Sequence, residues 1–164
     1  MTDTILQIFT TGGTIDKVYF DALSEFQVGS AAIEGILTEA NVGFAYDVVS
    51  LMRKDSLELT DADRDAIHAA VAGCAATRVL ITHGTDTMAR TAESLMDIAG
   101  KTVVLTGAMQ PARLRATDAV FNAGFAIATA LMKPPGIYIA INGMVFDPAH
   151  VVKNREAGRF EARD

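Results

Sequence analysis

The chain has 164 residues, half of them hydrophobic, with a formal net charge of −6 and a single cysteine. That length suits one domain with a sizeable core and is short for two, while the acidic balance excludes the basic face that nucleic acid demands. No apolar run approaches the roughly 18 residues needed to span a bilayer, and no basic segment leads into a long apolar stretch as in a signal peptide, so a soluble cytoplasmic protein is expected.

The predicted elements alternate. Ile5 to Thr10 is short, apolar and closed by Gly12-Gly13, which reads as a buried strand. The stretch DKVYFDALSEFQVGS lacks periodicity and reads as a long loop, after which Ser30 is placed to cap a helix through Ile33, Ile36 and Leu37. FAYDVVSLM gives a second strand and RKDSLEL a polar connector, with Ser56 read as a cap. Thr60 and Asp63 form a capping-box pattern ahead of a helix ending near Ala75. TRVLIT is a third strand, DTMARTAESLMDIAG a helix closed by Gly100, KTVVLTG a fourth strand and AMQPARLR a loop. A helix over ATDAVFNAGFAIATALM stops at Pro134-Pro135, GIYIAING is a fifth strand, and Met144 to Phe146 could return as a hairpin. Beyond it the tail loses pattern.

Strands and helices alternating at this spacing predict an α/β fold: an open, mainly parallel sheet with helices on both faces, a Rossmann-like or flavodoxin-like three-layer arrangement. No repeat or composition break divides it, so residues 1–164 read as one domain. Cys74, within AAVAGCAA, reads as a small packed residue, and Met109, Phe121 and Phe125 as core.

In such a sheet ligands bind beyond the carboxyl ends of the strands. TTGGT at Thr10 to Thr14, HGTDT at His83 to Thr87 and TGAMQPAR all fall there. Gly12-Gly13 superficially suggests a nucleotide loop, but neither glycine-rich phosphate pattern is present. His68, His83 and His150 have no metal-ligand spacing, and no cofactor is implied. Two readings remain for the threonines. They could cap helices and satisfy loop amides, or Thr14 and Thr85 could present hydroxyls to one cleft, each needing a base to become nucleophilic. Asp86 could accept a bond from a substrate ammonium, while Tyr19 and Lys153, in irregular segments, could supply a phenolic oxygen and an amine. His83 is read as a support for its loop.

TGGTI at Thr11 to Ile15 and HGTDTM at His83 to Met88 resemble the two signature motifs of the L-asparaginase family of the bacterial type, and KTVVLTGAMQPAR, ATDAVFN and VVKNREAGRF follow in that family's order. The resemblance covers essentially the whole chain but only the N-terminal catalytic domain of the usual two-domain enzyme. The C-terminal domain is expected to be absent, its contacts supplied by another protomer or lost. A homodimer is expected, since a domain without its usual partner leaves an apolar face. The resemblance implies an amidohydrolase converting L-asparagine to L-aspartate and ammonia, with Thr14 as nucleophile and Thr85, Asp86 and Lys153 as a second catalytic group. Asp86 would hold the substrate ammonium, and amides near Gly84 and Thr85 would face the oxyanion. Gly13 and Ala108 complete the expected substrate-binding set.

The chain departs from the family pattern at two places. Aligning on FQVG puts Phe26 where the family has a tyrosine, so Tyr19 is the expected substitute. In MRKDS, Asp55 matches an acidic position, but Arg53 takes the place of a substrate-binding serine and Ser56 is displaced. Arg53 or Lys54 could then meet a substrate carboxylate. Asp118 matches an acidic family position and equally suits a helix start. These departures keep two alternatives open: a non-catalytic binder of a small amino acid or amide, and an amidohydrolase for a different amide.

Overall fold

The computed structural model describes residues 5–20 and 25–164. Five strands run parallel: β1 (Leu6–Gly12), β4 (Tyr46–Lys54), β5 (Arg78–Thr82), β6 (Thr102–Thr106) and β7 (Gly136–Ile141). With the antiparallel β8 (Met144–Phe146) they form one sheet in the order β4-β1-β5-β6-β7-β8. Val79 to Ile81 and Val103 to Leu105 in β5 and β6 are fully buried, as a sheet covered on both faces requires. Asn142 and Gly143 turn β7 into β8 with positive φ at both positions, the geometry of a two-residue hairpin turn.

Alternate side chains of the sheet enter two cores. Leu6, Ile8, Leu80 and Val104 pack against α1 (Ile33–Glu39) and α4 (Ala119–Met132). Phe9, Val79, Ile81 and Leu105 pack on the other face with Ile67 and Val71 of α2 (Asp61–Gly73) and Met88 and Ala92 of α3 (Met88–Glu93). The expected three-layer α/β architecture is therefore present. In chain order the parallel strands run second-first-third-fourth-fifth, so the sheet reverses direction between β1 and β5. That reversal opens a crevice for ligands at their carboxyl ends, where TTGGT and HGTDT emerge.

Five local expectations are corrected. The segment read as a long loop contains an antiparallel pair, β2 (Lys17–Phe20) and β3 (Glu25–Val28), whose cross-strand partners include Tyr19 and Phe26. Ser30 does not cap α1. Ala32 is the N-cap residue, and its amide donates instead to Asp16 Oδ1 at 2.8 Å, a cap borrowed from the loop after β1. The helix expected through Gly100 ends at Glu93 and continues only as turns. The patternless tail is a second hairpin, β9 (Val151–Asn154) with β10 (Arg159–Ala162). Phe121, read as core, is instead 63% exposed and stacks on Phe125. Among the described residues no helix is long and apolar enough to cross a membrane.

Candidate active site

Three loops meet at the crevice, and glycine is what lets them. Gly13 adopts φ 83°, and a Cβ there would overlap the Gly84 amide nitrogen, so the loops after β1 and β5 touch backbone to backbone. Gly84 in turn packs on the connector after β4, where a Cβ would stand 2.6 Å from Ser56 Cβ. Thr14 and Thr85 are the residues that follow the two touching glycines, which brings the TGGT and HGTDT loops to one place. Thr14 begins a 3-10 turn over Thr14–Asp16 and is only half-buried; Thr85 is buried.

The tail hairpin delivers the amine. Val151, Lys153 and Phe160 lie on one face of β9–β10 by strand alternation and register. Val151 and Phe160 sink into the core, and the Phe160 amide donates to Asn142 Oδ1 at 2.9 Å, tying the hairpin to the β7–β8 turn. Lys153, on that same inward face, donates from Nζ to Thr85 Oγ1 at 2.7 Å and to Asp86 Oδ1 at 2.8 Å. Arg155 Nη2 reaches the same Asp86 oxygen at 2.7 Å. Thr85, Asp86 and Lys153 therefore form one bonded cluster, and its carboxylate already carries two cations.

Ser56 is a site residue that sequence reasoning missed. It is not the cap of its turn; Asp55 is, accepting from the Leu57 amide. Ser56 is buried, its Oγ accepts from the Asp86 amide at 3.1 Å, and its carbonyl accepts from Thr87 Oγ1 at 2.8 Å. It thereby fixes the start of the Asp86 segment. Its signals were its position after Asp55, which capping chemistry explains equally well, and the family resemblance, in which it stands displaced from the substrate-binding serine.

The other expected residues are scattered around this centre. Tyr19 is 52% exposed and lies edge-on to Phe26, ring centroids 5.4 Å apart. Lys17 pairs with Asp55 at 3.0 Å from the same hairpin face as Tyr19 and Phe26, so that face looks toward the connector beside Ser56. Burial pushes the Asp55 carboxyl up, but its bond to Lys17 and the Leu57 amide outweigh this and hold it below its ordinary value. Lys54 is committed elsewhere, with Nζ 2.9 Å from both oxygens of Asp63. Arg53 lines a shallow groove with Lys17, Phe26 and Asp55. The Ala108 side chain is buried with Ile15 and Ala119 in a small cluster of its own. Asp118 binds the Met109 and Gln110 amides at 2.9 and 3.0 Å and so shapes the loop after β6. Among the described residues no three His, Cys, Asp or Glu side chains come together as a metal site.

A flavodoxin-like open sheet whose switch point gathers two threonines, a lysine and a carboxylate on glycine-joined loops defines an α/β domain with a polar candidate site at the carboxyl ends of its strands. More particularly, the chain belongs to the family described as Asparaginase, N-terminal, whose model matches residues 5–162. It is 31% identical over 162 residues to L-asparaginase 2 of Escherichia coli (strain K12), covering 90% of this chain and 46% of that protein. Among solved structures it is similar to the thermostable L-asparaginase from Thermococcus kodakarensis (TM-score 0.82, 30% identity, 96% of this chain and 50% of that one). It is similar also to the probable cytoplasmic L-asparaginase from Campylobacter jejuni (TM-score 0.82, 26% identity, 98% and 52%). The chain thus spans about half the length of these relatives.

Proposed function

We propose that the chain hydrolyses the side-chain amide of L-asparagine to L-aspartate and ammonia. The observation that carries this reading is the Lys153–Thr85–Asp86 cluster, set beside Thr14 by the Gly13–Gly84 contact. In the proposed course the Thr14 oxygen bonds to the amide carbon and the carbonyl oxygen becomes an oxyanion. The carbon–nitrogen bond then breaks, and the proton lost by Thr14 leaves on ammonia. Water attacks the resulting ester, frees aspartate and returns the proton to Thr14. A lysine ammonium that donates to Thr85 Oγ1 polarises that hydroxyl, so its own proton is more readily given toward the cleft. The Thr85 amide has no partner among the described residues and suits the oxyanion. Asp86 suits the substrate ammonium, and Tyr19 stands in for the family tyrosine.

We assign the same compartment as the relative named probable cytoplasmic, and we propose that a second copy of the chain closes the cleft. The test is ammonia release from L-asparagine by the folded protein, with Thr14→Ala and Thr85→Ala as controls. Release that both substitutions abolish supports the reading, and no release above background by the unaltered chain overturns it. A second reading, a non-catalytic binder of a small amide, is favoured by Arg155, which occupies the Asp86 oxygen that a substrate amine would use. Calorimetry separates the two: a finite binding heat without turnover supports the binder, and a continuing heat the enzyme.

A further inference from the structure

Behind the HGTDT loop lies a buried polar chain that the proposed reaction does not use. His83, Thr91 and Arg64 are 0%, 0% and 4% exposed and come from the loop after β5, from α3 and from α2. His83 Nδ1 lies 2.6 Å from the Gly84 carbonyl oxygen, His83 Nε2 lies 2.8 Å from Thr91 Oγ1, and Arg64 Nε donates to Thr91 Oγ1 at 3.2 Å. Chemistry fixes the direction of every bond. A carbonyl can only accept, so Nδ1 carries the hydrogen. Burial, with the Arg64 charge adding to it, holds the imidazole pKa down at about 4 against the opposing Gly84 bond, so the ring is neutral and Nε2 is bare. Thr91 must then donate to Nε2, and its lone pair receives Arg64, which cannot lose its proton. The order is Arg64 to Thr91 to His83 to the Gly84 carbonyl.

The far end of that chain is a peptide group. Carbonyl and N–H of a planar trans peptide point in opposite directions. A Gly84 carbonyl held inward by His83 therefore turns the Thr85 N–H outward, and that N–H has no partner among the described residues. We propose that His83, held in one tautomer by Thr91 and Arg64, is a positioning residue that aims the Thr85 N–H into the cleft as a fixed donor for the developing oxyanion. The inference rests on the amide-hydrolysis reading above and adds to it the device that orients the donor.

Two substitutions separate positioning from mere packing. His83→Asn places its side-chain amide where Nδ1 stands and keeps the bond to the Gly84 carbonyl. His83→Gln reaches Thr91 but gives nothing to Gly84. Both remove the ring, so both lower thermal stability comparably. The expected result is a roughly 100-fold lower kcat in His83→Gln with the KM for asparagine nearly unchanged. His83→Asn should keep kcat within about tenfold of the unaltered chain, because it restores the bond that aims the donor. Equal loss in both variants, or an effect on KM alone, overturns the proposal. Nitrogen-15 spectra of the unaltered chain give a readout free of activity. The ring must show the Nδ1–H tautomer, and an Nε2–H ring overturns the relay even if neither variant folds. A chain that releases no ammonia overturns the amide-hydrolysis reading, and with it the purpose of the relay, whatever the ring shows.

Discussion

Lys153 donates to Thr85 Oγ1 at 2.7 Å across 68 residues of sequence, from a hairpin held by Phe160 to a loop held by Ser56. The ammonium sits between a hydroxyl and the Asp86 carboxylate in a mostly buried setting, where a charged hydrogen bond is worth more than in water. Lys153→Met keeps the apolar stem and removes the charge. It is expected to lower kcat for asparagine by about 100-fold or more while leaving Tm within a few degrees, since Val151 and Phe160 still anchor the hairpin. Steady-state ammonia release together with a thermal melt checks both halves, and an unchanged kcat would remove Lys153 from the proposed mechanism.

Tyr19 and Phe26 are cross-strand partners with touching rings, so a hydroxyl on either ring projects from the same face of the β2–β3 hairpin. Tyr19→Phe is expected to cut kcat by about 100-fold or more, the usual scale for a lost proton-transfer group. Adding Phe26→Tyr to that variant moves the hydroxyl across the pair and should recover most of the activity. A double variant no better than the single one would show that the hydroxyl serves from Tyr19 alone or not at all.

Gly13→Ala tests the meeting of the loops. The added methyl would be forced into the Gly84 backbone at a φ of 83°, where an L side chain is already strained. A loss of a few kcal/mol in urea unfolding is expected, and activity should vanish even under conditions where the variant stays folded. Gly35→Ala is the matched control, because a Cβ there meets nothing within 4 Å.

Two buried groups give stability opposite pH dependences. Burial raises the Asp16 carboxyl to about 6, against the lowering effects of the Ala32 amide, Arg113 and Arg53. Its contribution is therefore fully present below the ordinary value of 3.8 and is lost as pH rises through about 6. His83, lowered to about 4 from an ordinary 6.5, contributes stability that is present above 6.5 and is lost as pH falls toward 4. Between about 4 and 6 the two offset each other. Asp16→Asn keeps an acceptor for the Ala32 amide without the charge. It should gain on the order of 1–3 kcal/mol at pH 7 and lose stability more steeply than the unaltered chain on acidification. Urea midpoints from pH 4 to 7 measure this, and parallel curves for the two proteins would contradict it.

Much of this molecule follows from local sequence. Continuous Val, Ile and Leu runs punctuated by Gly and Pro specify the parallel strands, because burial on both faces leaves no other composition available. Thr60 and Asp63 cap α2 reciprocally, as their spacing requires, and the two threonine motifs fall at strand ends where a parallel sheet must place its site. Tertiary structure decided what no local pattern encodes. The β2–β3 and β9–β10 hairpins have strands of only four residues, so their alternation is too short to read, yet one carries Tyr19 and the other Lys153. Ser30 had the chemistry of a cap, but Asp16 reached the α1 terminus first through the turn after β1. Ser56 and Arg64 bond to residues 27 to 31 positions away. Such contacts arise only when separate helices and loops pack against the same sheet edge. Composition and local spacing set which hydroxyls, amine and carboxylate the chain owns and at which edge the threonines stand. Only packing between distant segments decided which of them touch, because a side-chain bond depends on distance in space rather than on separation along the chain.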